Sequence, residues 1–338
     1  MKKELMILGP YIYPLNGISV HIKRVMERIG NLKDIKVSYL PISIQNPQFS
    51  FFSKIILGSS RIMIHLHSYH PIFLLEALFL RTKKNRLIFT IHSEGIPNIL
   101  EHGNLLYKFL VLRFLKKCND IICVNPSIAK RIIAFGIEKT KVSVVPAFIH
   151  PVLNFQEKNV LPARFEEWRD RCKIILCANA GLAGVTEFEA IYGLDLLKSL
   201  MEKFKNDKSI HLVLFLAIDK NLAKYNLKKL IAPNISLFIG GRFELYPIIA
   251  RSDLFLRPTR TDGFSLSVAE SLILGIPVIA SDVVSRPKGT ILFKTNDFND
   301  FYKKVIITLS SLRNIKDKMQ KIKVYDNFND LIRIYNMN

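Results

Sequence analysis

The chain has 338 residues, 49% hydrophobic and 23% charged, with a formal net charge of +21. That length supplies two α/β domains with separate cores, no apolar run reaches membrane-spanning length, and Lys2 and Lys3 lead into a strand-like run rather than a leader peptide. Four cysteines, two of them (Cys123, Cys177) in strand-like runs, read as reduced core residues of a cytoplasmic protein, and the positive charge, larger in the first half, comes without nucleic-acid-binding signatures, so an anionic membrane surface is the partner it suits.

Leu5–Leu8 is the first predicted strand, Gly9–Gly17 a loop, and Ile18–Ile29 a helix. Strand, glycine-containing loop and helix form a layout that binds phosphate or sugar, here without the Gly-x-Gly-x-x-Gly of dinucleotide sites. The second strand, Lys36–Leu40, leads to a loop with Phe49, Phe51 and Phe52, whose role as lid, acceptor site or membrane contact stays open. The third, Arg61–His67, ends in His65-Leu66-His67-Ser68-Tyr69-His70. That approaches the metal motif His-x-His-x-Asp-His, but Tyr69 stands where a second metal needs Asp, and the histidines read as a strand end. Arg86–Ile91 is a buried strand that delivers His92 at its carboxyl end, where α/β proteins place ligands. Leu105–Lys117 is strongly apolar with a basic end; core helix and interfacial anchor are equal readings. Strand Asp120–Val124, a helix capped by Asn125 and strand Lys141–Val145 run into a linker near His150–Asn159.

The second half repeats the alternation: strands at Lys173–Ala178, His211–Ile218 and Ile235–Ile239, a helix at Glu244–Ala250, and a strand at Asp253–Leu256. Then comes Arg257–Asp282, RPTRTDGFSLSVAESLILGIPVIASD. Its loop carries Asp262, Gly263 and Phe264; a helix starts near Ser265 and holds Glu270 in its second turn; Gly275 and Pro277 end it. A helix N-terminus favours phosphate, and two carboxylates beside it suit sugar hydroxyls, so the expected ligand is a nucleotide sugar. Ile291–Phe293 is a last strand, Asp297–Leu312 a helix, and Tyr325–Tyr335 a segment that returns to the first domain.

The stretch resembles the donor motif of retaining glycosyltransferases of family 4, in which an acid, seven residues and a glutamate precede Gly-x-Pro-Val-x-x-Ser; here these are Asp262, Glu270 and Gly275–Ser281. The resemblance implies an α/β fold of GT-B type, two Rossmann-like domains with parallel sheets facing a central cleft. The expected boundaries are 1–155 for an acceptor-side domain, 156–318 for a nucleotide-sugar domain and 319–338 for a helix crossing back. It implies catalytic roles for His92 and Asp262, and donor contacts from Gly17, Arg242, Asp262, Gly263, Phe264, Ser265 and Glu270. It departs from the family at Asn179–Gly193, where the Arg and Lys that grip the donor diphosphate are missing and Tyr192 precedes Gly193. The implied activity is a metal-independent hexosyltransferase using a UDP- or GDP-sugar as substrate, with no cofactor. A glycan or lipid-linked acceptor, no nucleic acid, and a cytoplasmic location with peripheral attachment to the inner membrane face complete the expectation. The rivals are a nucleotide-sugar epimerase of the same fold and a non-catalytic pseudo-glycosyltransferase.

Overall fold

The computed structural model describes residues 3–13, 15–32, 35–42, 62–80, 85–151, 163–181, 188–217, 232, 234–239 and 243–335. The chain divides into two units. The first comprises Met1–Ile12, Gly17–Pro151 and Asp326–Asn338, the second Tyr13–Asn16 and Val152–Tyr325.

The first unit is a parallel sheet of β1 (Lys3–Gly9), β2 (Ile35–Pro41), β3 (Ile62–Leu66), β4 (Arg86–Ile91), β5 (Asp120–Cys123) and β6 (Val142–Val144), in the order β2-β1-β3-β4-β5-β6. Its helices are α1 (Gly17–Gly30), α2 (Pro71–Leu80), α3 (Gly95–His102), α4 (Leu105–Lys117) and α5 (Pro126–Ala134). Asn104 and Asn125 cap α4 and α5 through side-chain oxygens that accept from Tyr107 N and Ile128 N. Helix α4 is divided. Val111, Phe114 and Leu115 are core, while Leu105, Leu106 and Phe109 are 85%, 80% and 62% exposed, so one face of its apolar run packs as core helix and the other leaves three large apolar side chains at the surface.

The second unit starts with α6 (Ala163–Arg171). Its sheet holds β7 (Ile174–Gly181), β8 (Ile210–Ala217), β9 (Ile235–Ile239), β10 (Leu254–Arg257), β11 (Val278–Ser281) and β12 (Ile291–Phe293), ordered β12-β11-β10-β7-β8-β9 and again parallel. Between them lie α7 (Phe188–Tyr192), α8 (Leu194–Lys203), α9 (Tyr246–Ala250) and α10 (Leu266–Ile273), followed by α11 (Phe298–Ser310) and α12 (Leu312–Met319). Along β7, Leu176, Ala178 and Ala180 join one core cluster and Ile175 and Cys177 the other. Side chains alternate across a sheet, so a strand covered on both faces reads as one unbroken apolar run.

Two expected elements differ. The helix predicted over 297–312 breaks at Ser311, where Ser310 Oγ donates to Ile307 O and competes with continued helix. The returning C-terminal segment is the short α13 (Phe328–Ile334) of the first unit. It is anchored by Asn327, whose N and Nδ2 both donate to Phe148 O at 3.1 and 3.0 Å, and by the ion pair Arg28–Asp326 at 2.9 Å.

The order of each sheet reverses once, between β1 and β3 in the first unit and between β7 and β10 in the second. Loops leaving adjacent strands there go to opposite faces and open a crevice at the strands' carboxyl ends, which is where such folds bind ligands.

Candidate functional site

In the first unit the β1/β3 reversal is filled by histidines. His67 follows β3, its backbone N donating to Leu8 O of β1; His92 follows β4; His65 lies within β3; and His21 comes from the second turn of α1. Ring centroids are 4.0 Å apart for His65 and His67, 5.1 Å for His67 and His92, and 5.4 Å for His21 and His92. His21 Nδ1 lies 2.7 Å from Ala147 O. A carbonyl only accepts, so Nδ1 carries the proton and the neutral ring has a bare Nε2. His65 is bracketed by Tyr335 Oη and Thr90 Oγ1, each at 2.7 Å. His67 Nδ1 and His92 Nε2 are 2.8 Å apart. His21 Nε2 and His67 Nε2 are buried without a hydrogen-bond partner.

Burial holds this cluster neutral. It lowers His21 to about 4, against the Ala147 hydrogen bond, and His65 to about 3, with His21 repelling a second charge. Burial and the neighbouring imidazoles push His67 and His92 well below the ordinary range. Among the described residues no three His, Cys, Asp or Glu side chains are grouped to hold a metal ion. Gly17 opens α1, and a side chain there would meet no protein atom within 4 Å.

In the second unit the β7/β10 reversal holds a charged cluster. Arg257, the last residue of β10, reaches across to Asn179 of β7, Nη1 to Oδ1 at 3.0 Å. Its Nε donates to Asp262 Oδ2 at 3.2 Å, and Arg286 Nη1 donates to the same oxygen at 2.8 Å. Thr259 Oγ1 completes that oxygen's partners at 3.4 Å, while Gly263 N donates to Oδ1 at 3.2 Å. Arg286 also donates to Ser281 O and Thr259 Oγ1. Burial opposes ionisation of Asp262, but Arg257 and Arg286 outweigh it and hold its carboxyl below the usual range. Asp262 is thus the shared counter-ion of two buried arginines, whereas the sequence leads one to expect a carboxylate open to sugar hydroxyls.

The helix beyond the loop forms as expected. Ser265 caps α10, its Oγ accepting from Val268 N at 3.4 Å; Ser267 Oγ reaches Asn179 Oδ1 at 3.3 Å; Gly275, at φ +70°, ends the helix in the left-handed conformation. Gly263 is buried, Phe264 half-buried and Glu270 buried. The Arg257 guanidinium stands 5.2 Å over the Tyr192 ring, so positive charge reaches the position before Gly193 from a different strand. Gly193 has φ +64°, and an added Cβ would lie 2.0 Å from Pro258 O, which makes glycine obligatory where α7 meets this loop.

The expected site residues therefore fall into two sets: Gly17 and His92 in the first unit, Asp262 to Ser265 and Glu270 in the second. Arg242 lies outside the described residues, as do Phe49, Phe51 and Phe52. Arg286, Asn179 and Thr259, and the packing of His21, His65 and His67 around His92, are not legible as site features from spacing. The one available signal is a histidine or arginine at the end of a buried strand.

Residues 46–152 match the model of Glycosyltransferase Family 4, and residues 181–311 that of Glycosyl transferases group 1. A Klebsiella pneumoniae protein, described as an uncharacterized 41.2 kDa protein in cps region, is 25% identical over 242 residues, 67% of this chain and 62% of that one. The Escherichia coli UDP-Gal:alpha-D-GlcNAc-diphosphoundecaprenol alpha-1,3-galactosyltransferase is 28% identical over 116 residues, 32% of this chain and 29% of that one. The chain thus spans less than two thirds of the length of these curated relatives. The crystal structure of Anabaena HepE in complex with UDP-glucose matches with a TM-score of 0.71 at 11% identity, covering 99% of each chain, a likeness of fold. The two family matches together take in more than half of the sequence and agree with the paired parallel sheets, so the chain belongs to the family 4, group 1 glycosyltransferases of GT-B fold.

Proposed function

We propose that this glycosyltransferase moves a sugar from a UDP- or GDP-sugar to a hydroxyl of a lipid-linked or surface-polysaccharide glycan, with retention of configuration and without a metal ion. The observation that carries the reading is the placing of Glu270. It is buried in α10, whose N-terminus opens at the carboxyl end of β10 beside the sheet reversal. There the backbone from Gly263 to Ser265 meets donor phosphate and Glu270 meets ribose or sugar hydroxyls. Arg257, beside Tyr192, supplies cationic field in place of the missing Arg and Lys, Arg242 remains a donor-contact candidate, and Asp262 acts by holding Arg257 and the loop. In the first unit, taken by itself, Gly17 and His92 are the residues proposed for ligand contact.

In the step proposed, the bond from the anomeric carbon to the leaving phosphate oxygen breaks as the acceptor oxygen bonds on the same face. The acceptor proton passes to the leaving phosphate. The acceptor named for the E. coli relative and the UDP-glucose held by HepE support this choice of substrates. An anionic membrane surface is the proposed site of work. Leu105, Leu106 and Phe109 on α4 and Ile72 and Leu75 on α2 are exposed, with Arg113, Lys116 and Lys117 on α4 to meet lipid headgroups. No helix among the described residues is long and apolar enough to cross a membrane.

The test is thermal unfolding with UDP, GDP, ADP, CMP and dTDP, for wild type and Glu270→Ala. A rise with one nucleotide that Glu270→Ala abolishes is expected, followed by product formation from the matching nucleotide sugar. No rise with any nucleotide overturns the reading, and conversion of donor without acceptor marks an epimerase.

A further inference from the structure

His92 follows β4 with one nitrogen committed: its Nε2 faces His67 Nδ1 at 2.8 Å, which leaves Nδ1 as the atom able to meet a ligand. One proton lies between the two facing nitrogens, and where it belongs decides what His92 offers. If His92 donated, His67 would be the acceptor at Nδ1 and would carry its own proton at Nε2. That atom is buried and has no partner. If His67 donates, the orphan at Nε2 is a lone pair instead. Buried N–H groups without acceptors are rarer than under-satisfied acceptors, so the second arrangement wins. The surroundings agree with it. His21, whose Nδ1 is committed to Ala147 O, also carries a bare, buried Nε2, so the pocket already tolerates unpaired lone pairs. His65, fixed at both nitrogens by Tyr335 and Thr90, lies 4.0 Å from the His67 ring and limits its rotation.

We infer that His67 is a positioning residue for His92: its Nδ1–H donates to His92 Nε2, fixes His92 as the neutral Nδ1–H tautomer, and so presents an uncharged N–H donor to an oxygen of the bound ligand. His92 in this form binds a sugar hydroxyl or a developing phosphate negative charge, and does not act as a base. The assignment of His67 stands on the geometry of the first unit; only its kinetic consequence rests on the transferase reading.

The experiment is a long-range proton–nitrogen correlation on the full chain labelled with 15N-histidine, with His92→Gln to assign the His92 signals. A protonated Nδ1 and bare Nε2 at His92 are expected. In His67→Leu the His92 signals should move toward the Nε2–H form that free histidine favours, whereas His67→Asn, whose amide N–H stands in place of Nδ1–H, should retain the wild-type pattern. With a donor and acceptor in hand, His67→Leu should lower kcat by about 10–100-fold, as loss of an orienting partner does, with the donor KM unchanged and most of the rate restored in His67→Asn. A protonated Nε2 on wild-type His92, or a tautomer indifferent to His67→Leu, overturns the inference. Should no variant, wild type included, transfer sugar, the transferase reading fails and the tautomer measurement still decides the role of His67.

Discussion

Acid should loosen the first unit well before it loosens the second. Above pH 6.5 the histidines of the cluster are neutral in both the folded and the unfolded chain and set no pH slope. Below that value the unfolded chain takes up protons that the folded chain refuses, because burial lowers His21 to about 4 and His65 to about 3. The unfolded state then binds more protons, so stability falls as pH falls, until each folded value is reached. Each such group contributes about 1.4 kcal/mol per pH unit, so at about pH 5 the two together remove about 4 kcal/mol. His67 and His92 act in the same direction. Against a typical total of roughly 5–15 kcal/mol that is a large share. The measurement is amide hydrogen exchange, corrected for intrinsic rates, in β1, β3 and β4 between about pH 7.5 and about pH 5, with β7 and β8, whose one histidine His211 is also lowered by burial and gives a smaller slope, as the internal reference. His65→Gln should flatten the slope by one group's part, about 2 kcal/mol at about pH 5. Opening free energies in β1, β3 and β4 that fall no further than those in β7 and β8 would refute a neutral buried cluster.

In the second unit, Asp262→Ala leaves two buried arginines without their counter-ion and should cost about 3–5 kcal/mol, read as lowered thermal unfolding. Arg286→Met leaves Arg257 and Asp262 paired and should cost less; the reverse order would show that Asp262 is not the shared anion. Gly193→Ala forces a Cβ onto Pro258 O at a left-handed position and should lower thermal stability more than Gly17→Ala, where no protein atom lies near; equal effects would contradict the packing of α7 on the loop. Serine at Leu105, Leu106 and Phe109 should leave unfolding within about 0.5 kcal/mol of wild type per site. The same variant should lose binding to vesicles rich in anionic lipid, and unchanged sedimentation with those vesicles would refute the membrane surface.

The limits of Arg86–Ile91 are legible because a strand covered on both faces is apolar nearly throughout, and those of the edge strands Ile235–Ile239 and Ile291–Phe293 because a short β-branched and aromatic run is set between turn residues. The start and end of α10 are legible for a local reason too: Ser265 caps through its own Oγ and Gly275 alone takes φ +70° cheaply. The break at Ser311 is less so, since two serines lower helix propensity without forbidding helix.

Neighbours along the chain dictate the alternation of strand and helix, the parallel α/β class, the acid-and-glutamate motif, and His92 at a strand end. The tertiary structure alone decided which groups meet. Asp262 joins Arg286 across 24 residues and Arg257 joins Asn179 across 78; His21 reaches Ala147 across 126 and His65 reaches Tyr335 across 270. A carboxylate's role follows from the charges around it and a histidine's from the atoms at its two nitrogens, and both are set by strand order in the sheet, which no local spacing encodes.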